Sequence, residues 1–371
     1  MKNENFFLNG SEYNRENVFI IAELGTAHGS DPVKANELID AAAEAGADCI
    51  KFQIVYAREL LHPNTGEVIL PGGKVRLYDK FKELEQDPSF FANAKERVEK
   101  KGLVFLCTPF GLQSARELKA HAPACIKIAS PELNYTALLK EIASYNLPTL
   151  LSTGVSRLAD IEEALMLFNE SSSSICLLHC VTAYPAPEQD YNLRLLGNLA
   201  SIFGFPVGIS DHSLDPCLIP VLGTAMGASV IEKHFCLSRD EPGLDDPIAL
   251  DPSGFAQMVK AVRHAQTESP KVTLNTMRED YGSDFVESVL GDGVKRLAPS
   301  EIENYQRTNR SLHAVREIAK GDKISRDMIA CLRTERLLRP GLPPSWEDRI
   351  LGREAKVNIP AGEGIRFEDI L

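Results

Sequence analysis

Apolar and polar positions follow two periods along this chain. Eight runs of five or six residues are almost continuously apolar and read as strands: Val18–Glu23, Cys49–Ile54, Leu103–Thr108, Cys125–Ala129, Pro148–Ser152, Ile175–Cys180, Pro206–Ser210 and Ser229–His234. Between them lie segments of helical period. In Asp31–Ala47, Asp31 reads as the N-cap and Pro32 as the first helical residue, Val33, Leu38, Ile39, Ala42 and Ala43 share one side, and Gly46 marks the stop. Asp87, Pro88 and Gly102 repeat the device around Pro88–Lys101. Further helical stretches fit Leu112–His121, Tyr135–Tyr145, Leu158–Asn169, Leu193–Phe203, Pro216–Met226 and Ser253–Ala265. Eight strand–helix units with apolar strands predict an α/β fold, a (β/α)8 TIM barrel over residues 1–267. An open doubly wound sheet is the alternative, but no GxGxxG follows any strand and eight regular units suit closure better.

Three stretches depart from this rhythm. Val55 to Asp87 is too long for an ordinary strand–helix loop and holds Pro63-Asn64, Pro71, Gly72 and Gly73; its place after the second strand suggests a flap over the mouth, against a disordered insertion. Residues 268–308 are polar and glycine-punctuated and read as a linker. Residues 309–371 hold a repeat, in which Ile318-Ala-Lys-Gly321-Asp-Lys-Ile324 matches Ile359-Pro-Ala-Gly362-Glu-Gly-Ile365 at an offset of 41. Two such copies predict a small pseudo-symmetric β-rich domain.

Composition narrows the class. The 371 residues are 44% hydrophobic and 25% charged, an ordinary globular balance, and suit two domains. No apolar run approaches the ~18 residues of a membrane helix, and Met1 to Asn17 is polar, so a cytoplasmic protein is expected. A formal charge of -12 disfavours nucleic acid and anionic membranes as partners. The 8 cysteines never form CxxC and sit mostly in apolar runs, as reduced core thiols do. Against an acidic background, a lysine inside a strand is informative.

Polar residues gather where strands end, which in a parallel barrel is the catalytic face. They are Glu23; Lys51 and Gln53; Lys127, Ser130 and Glu132; Ser152; His179, Thr182 and Tyr184; Ser210, Asp211 and His212; and Glu232 and His234. Lys51/Gln53 and Glu232/His234 have the i, i+2 spacing that puts both members on one side of a strand. His212 and His234 close neighbouring strands and could converge on one divalent ion, while core histidines are the bland alternative. Lys51, Lys127, Ser130, Ser152 and Ser210 offer two positive charges and several hydroxyls, the chemistry for a phosphate and a carboxylate on one small molecule.

An ordered set of motifs runs through these ends: Ile20-Ile21-Ala22-Glu23-Leu24-Gly25, Lys51-Phe52-Gln53, Thr108-Pro109-Phe110, Lys127-Ile128-Ala129-Ser130, Leu151-Ser152-Thr153-Gly154, Tyr184-Pro185, Gly208-Ile209-Ser210-Asp211-His212 and Glu232-Lys233-His234-Phe235. With Pro242-Gly243-Leu244-Asp245, Asn309-Arg310-Ser311-Leu312, Arg339-Pro340-Gly341 and Ile350-Leu351-Gly352-Arg353, it resembles the sialic acid synthase family and its C-terminal antifreeze-like (SAF) domain.

The resemblance implies condensation of phosphoenolpyruvate with the open-chain aldehyde of an N-acetylated amino sugar, giving a nine-carbon 2-keto acid and phosphate. It further implies that Lys51, Lys127, Ser130, Ser152 and Ser210 hold phosphoenolpyruvate. His212 and His234 would hold Mn²⁺, with Mg²⁺ or Co²⁺ as alternatives, and Glu23, Gln53, Tyr184 and Asp245 would line the sugar and water sites. Glu23 is the candidate for positioning or deprotonating the water. Arg339 would reach the barrel of a second copy and contact the acetamido group, making the active unit a domain-swapped homodimer. Ala27-His28-Gly29-Ser30, Thr182 and Leu338 depart from the family pattern and bear on the sugar more than on the reaction. Two other readings stay open from the residues alone: a class I aldolase or lyase using Lys51 or Lys127 as a Schiff base, and a non-catalytic glycan-binding protein.

Overall fold

The computed structural model describes residues 5–70, 73–241 and 243–370, so Pro71 and Gly72 of the expected flap, and Pro242, lie outside the described residues. Eight parallel strands form one sheet: β1 (Phe19–Gly25), β2 (Cys49–Ile54), β3 (Val104–Pro109), β4 (Ile126–Ile128), β5 (Thr149–Ser152), β6 (Ile175–Cys180), β7 (Val207–Asp211) and β8 (Val230–His234). They pair in the order β3-β2-β1-β8-β7-β6-β5-β4. The end strands β3 and β4 lie against each other, which nearly closes the expected barrel.

Around it run α1 (Pro32–Glu44), α2 (Pro88–Lys100), α3 (Leu112–Ala120), α4 (Thr136–Ala143), α5 (Leu158–Met166), α6 (Leu195–Phe203), α7 (Leu218–Ala225) and α8 (Pro252–Thr267). Asp31, Asp87 and Asp251 each cap a helix with proline at its start; their carboxylates accept from the backbone N–H of Val33, Ser89 and Gly254.

Strand alternation divides the barrel interior into an apolar floor and a polar mouth. Phe19, Ile21, Cys49, Leu106, Cys125, Leu150, Cys176, Leu178 and Val230 form one buried cluster. Phe6 and Leu8 join it from the hairpin Phe6–Leu8/Ser11–Tyr13, which plugs the bottom. Each fully buried Val, Leu, Ile or Phe among them contributes about 1.5–3 kcal/mol. Two residues further along the same strands stand Glu23, Lys51, Thr108, Lys127, Ser152, Cys180 and Glu232. The inward position of β7 is Gly208, where a Cβ would come 2.5 Å from the Val230 carbonyl oxygen and 2.7 Å from Leu178 Cδ2. Leu178 therefore fills the space that a side chain there would need.

The segment after β2 is folded. It holds the turns Ala57–Leu60 and Pro63–Thr65, the hairpin strands Glu67–Leu70 and Gly73–Arg76, and the helix Leu77–Glu83. His62 Nε2 lies 3.3 Å from the Val315 carbonyl, and Asn64 Nδ2 donates to the Ala361 carbonyl at 3.1 Å, so it is tied to the C-terminal domain.

Polar composition concealed two helices in the stretch read as linker, α9 (Pro270–Tyr281) and α10 (Ser283–Leu290). Ser269 caps α9 through the Val272 N–H, Gly282 separates the two helices, and Val286, Val289 and Leu290 bury one face of α10.

In the C-terminal domain β9 (Arg310–Ala314) pairs antiparallel with β10 (Ile329–Arg333). The repeat is visible in its hydrogen bonds. Ile318 and Ile359 exchange both backbone bonds, at 3.0 and 2.8 Å. Gly321 N donates to Ala355 O as Gly362 N donates to Ala314 O, and Ile324 N to Arg353 O as Ile365 N to Leu312 O. Residues at the same offset in the two halves thus exchange partners about a pseudo-twofold axis. Arg310 docks the domain on the barrel: it is 1% exposed and donates to the carbonyls of Glu59 and Phe110 and to the Glu132 carboxylate.

Candidate active site

The mouth of the barrel collects most of the expected residues in one narrow cavity. Glu23, Lys51, Gln53, Lys127, Ser130, Ser152, Tyr184, Ser210, His212 and His234 line it, together with Thr108, Cys180 and Glu232. Lys51 Nζ sits 2.6 Å from Glu23 Oε2 and 3.6 Å from Glu232 Oε2, and donates to Thr108 Oγ1. Gln53 donates to the other Glu23 oxygen at 2.7 Å. Lys127 Nζ lies 3.7 Å from Glu232 Oε1, which also accepts from Ser210 Oγ. Glu232, a strand-end residue with no assigned role in the sequence reading, is thus the counter-ion shared by both lysines.

Electrostatics follow from that sharing. Burial works against the Lys51 ammonium, but Glu23 and Glu232 outweigh it and raise its pKa. At Lys127 burial dominates and lowers the pKa. Burial would raise Glu232, yet Lys127 and Lys51 bring it down to about 2. Among the described residues Ser152 Oγ is buried without a hydrogen-bond partner, and Lys127 makes one hydrogen bond, to the Ile128 carbonyl at 3.2 Å. An anion entering the mouth would find an unpaired hydroxyl and a weakly bonded ammonium beside it.

His212 and His234 meet as their strand positions predict, with ring centroids 5.5 Å apart. Tyr184 stacks on His212 at 4.3 Å. His212 Nδ1 lies 2.9 Å from the Val181 carbonyl, which leaves Nε2 as the nitrogen able to bind an ion. Burial opposes charge on His212, while Cys180 and that carbonyl favour it and outweigh burial; at His234 burial pushes the pKa down to about 3. Asp245 Oδ2 stands 4.0 Å from His234 Nδ1. Among the described residues no group of three or more His, Cys, Asp and Glu side chains forms a ready-made metal cluster.

Three residues of the sequence reading, Arg339, His179 and Asp211, lie elsewhere. Arg339 is turned into its own domain: Nε donates to the Gly364 carbonyl, its other end pairs with Asp369, and it does not meet the barrel mouth of its own chain. In the same domain Arg333 has its guanidinium 5.3 Å from the centre of the Phe110 ring, at the edge of the mouth, and pairs with Glu132. His179 is buried and hydrogen-bonded to the Tyr191 carbonyl, one position out of phase with inward Cys180. Asp211 also lies outside, in a fully buried ion pair with Lys233 at 2.6 Å. Cys180, whose sulfur is 3.8 Å from His212 Nδ1, escaped the sequence reading because a cysteine in an apolar run looks like core; the phase of β6 was the signal available.

The model of the NeuB family matches residues 38–272 and that of the SAF domain residues 309–371. The chain is 33% identical to the N,N'-diacetyllegionaminic acid synthase of Legionella pneumophila, over 95% of this chain and 94% of that one. The crystal structure of the spore coat polysaccharide biosynthesis protein SpsE from Bacillus subtilis superposes with a TM-score of 0.81 at 32% identity, covering 99% of both chains. The N-acetylneuraminic acid synthetase of Leptospira borgpetersenii, solved with citrate, gives a TM-score of 0.65 at 33% identity over 81% of this chain and 94% of that one. The chain therefore belongs to the NeuB family, enzymes of the sialic acid synthase type, and carries an SAF domain at its C-terminal end.

Proposed function

We propose that this enzyme condenses phosphoenolpyruvate with the open-chain aldehyde of an N-acetylated amino sugar, forming a nine-carbon 2-keto acid and phosphate. The observation that carries the reading is the pairing of two buried lysines and an unpartnered Ser152 hydroxyl with two facing histidines in one mouth. Lys51 and Lys127, with Ser130, Ser152 and Ser210, hold the phosphate and carboxylate of phosphoenolpyruvate. Gln53, Tyr184 and Asp245 line the sugar side.

C3 of phosphoenolpyruvate attacks the aldehyde carbon, whose oxygen takes up a proton. Water then adds at C2, and cleavage of the C2–O bond releases phosphate. A divalent ion on His212 and His234, Mn²⁺ or else Mg²⁺ or Co²⁺, would supply Lewis acidity towards the aldehyde oxygen. Glu23, paired with Lys51 and oriented by Gln53, positions the water and takes its proton. Arg339 enters this scheme only by reaching the barrel of a second copy, in a homodimer. The name of the Leptospira neighbour supports N-acetylmannosamine as the sugar, and that of the Legionella relative a diacetamido hexose.

The deciding experiment is phosphate release from phosphoenolpyruvate with Mn²⁺ and with EDTA, across N-acetylmannosamine, its 6-phosphate and diacetamido hexoses. Release that needs both the ion and one of these sugars is the expected result. Labelling by pyruvate and borohydride, with turnover intact in EDTA, would instead indicate a Schiff-base lyase.

A further inference from the structure

The segment between the two domains holds two loops of the mouth through Glu301. This carboxylate is 1% exposed, and its Oε1 accepts from two backbone N–H groups in different loops, Val155 at 2.7 Å and Thr182 at 2.8 Å. Its Oε2 accepts from the Ala298 N–H at 3.1 Å, which holds the carboxylate in place. Neighbours complete the grip. Asn309 Nδ2 donates to the Val155 carbonyl and Asn304 Nδ2 to the Thr182 carbonyl, both at 3.2 Å, and Lys295 Nζ to the Thr153 carbonyl at 2.8 Å. Val155 and Thr182 therefore have both backbone polar groups held by residues of one short segment.

The two loops so joined are those that carry substrate-side residues. Thr153-Gly154-Val155 follows Ser152, and Thr182 precedes Tyr184. Gly154 N donates to Ser130 Oγ at 2.9 Å, and a Cβ on Gly154 would come 2.2 Å from Thr182 Oγ1, so the loops pack against each other with no room to spare. Val155 has φ 41°, a left-handed conformation that a β-branched residue adopts only when its surroundings impose it. The bonds from Glu301 and Asn309 on either side of it impose it. Without them the loop would relax, and Ser152 and Ser130 would lose their registration with Lys127.

We propose that Glu301 is a positioning residue: it locks the loops after β5 and β6 into one rigid wall, so the segment between the domains is a working part of the active site. The proposal rests on the reading of Ser130, Ser152 and Tyr184 as substrate contacts. Its test uses the full chain. Glu301→Ala should raise KM for phosphoenolpyruvate about tenfold while kcat stays within about threefold, and amide exchange should quicken at Val155 and Thr182 but not in the barrel floor. Glu301→Gln keeps one oxygen for the Val155 and Thr182 N–H groups but gives up the Ala298 bond, and should recover part of the lost affinity.

A Glu301→Ala enzyme with unchanged KM and unchanged exchange at both amides, differing only in yield or melting temperature, would overturn the proposal. Should Glu301→Ala fail to fold, Asn309→Ala, which frees the Val155 carbonyl and, on its own segment, the Gln306 N–H, must quicken exchange at the Val155 loop and raise the same KM, or the proposal is wrong. A wild-type chain that releases no phosphate defeats the functional reading alone. The exchange rates at Val155 and Thr182 still decide the clamp.

Discussion

His212 and His234 stand beside, rather than within, the ion-paired group of Lys51, Lys127, Glu23 and Glu232, and this separation has consequences that can be measured. His212→Ala or His234→Ala should abolish metal-dependent turnover and weaken metal binding by at least an order of magnitude, while calorimetry still shows phosphoenolpyruvate binding through the lysines. Unchanged metal affinity in both variants would move the ion elsewhere. A second consequence concerns acid. His313 donates from Nδ1 to the Gly362 carbonyl and takes the Ser311 hydroxyl on Nε2, and burial pushes its pKa from 6.5 down to about 4. Between those values the unfolded chain binds the extra proton and the folded chain does not, so stability falls as pH drops from 6.5 towards 4. His28, likewise lowered by burial to about 4, adds to the same slope. Urea unfolding at pH 7 and pH 5 should show the loss, and His313→Gln should reduce it; an identical slope in the variant would exclude His313 as a source. At this scale the sequence was most informative where charge interrupts apolar strands, as at Lys51, Lys127 and Glu232. It was silent where a side chain acts through distant backbone, as Glu301 does, because no local spacing records a bond to residue 155 or 182.

Elements were legible where their ends are chemically marked. Asp-Pro starts announce α1 and α2; the same device at Asp251-Pro252 begins α8 just ahead of the start expected at Ser253. The phase of a strand was harder to read. In β6 every residue is buried, so burial alone does not distinguish His179, outside, from Cys180, inside. Helices α9 and α10 escaped because each buries only part of its surface, leaving a sequence that reads as polar. Gly208 is a test of the layered interior. Gly208→Ala should cost about 1–3 kcal/mol of unfolding free energy through overpacking against Val230 and Leu178. A neutral result would mean that the floor of the barrel is looser than its packing implies.

For the molecule as a whole, the C-terminal domain and the flap close on the barrel of the same chain. Arg310 and Arg333 share the buried Glu132 carboxylate, and removing one partner of such a buried group typically costs about 3–5 kcal/mol. Arg339, by contrast, is spent on Asp369 and Gly364. If a second copy borrows it, Arg339→Ala should lose turnover while sedimentation still shows a dimer; full turnover with normal sugar KM would remove Arg339 from the site. The repeat legible at an offset of 41 proved to be more than similarity of turns, since each half supplies the acceptors for the other. An interface that maps onto itself by a half-turn is the kind that two identical chains make. One half alone would expose an edge whose complement is a copy of itself, so the domain can be regarded as a homodimer whose two subunits have been joined end to end.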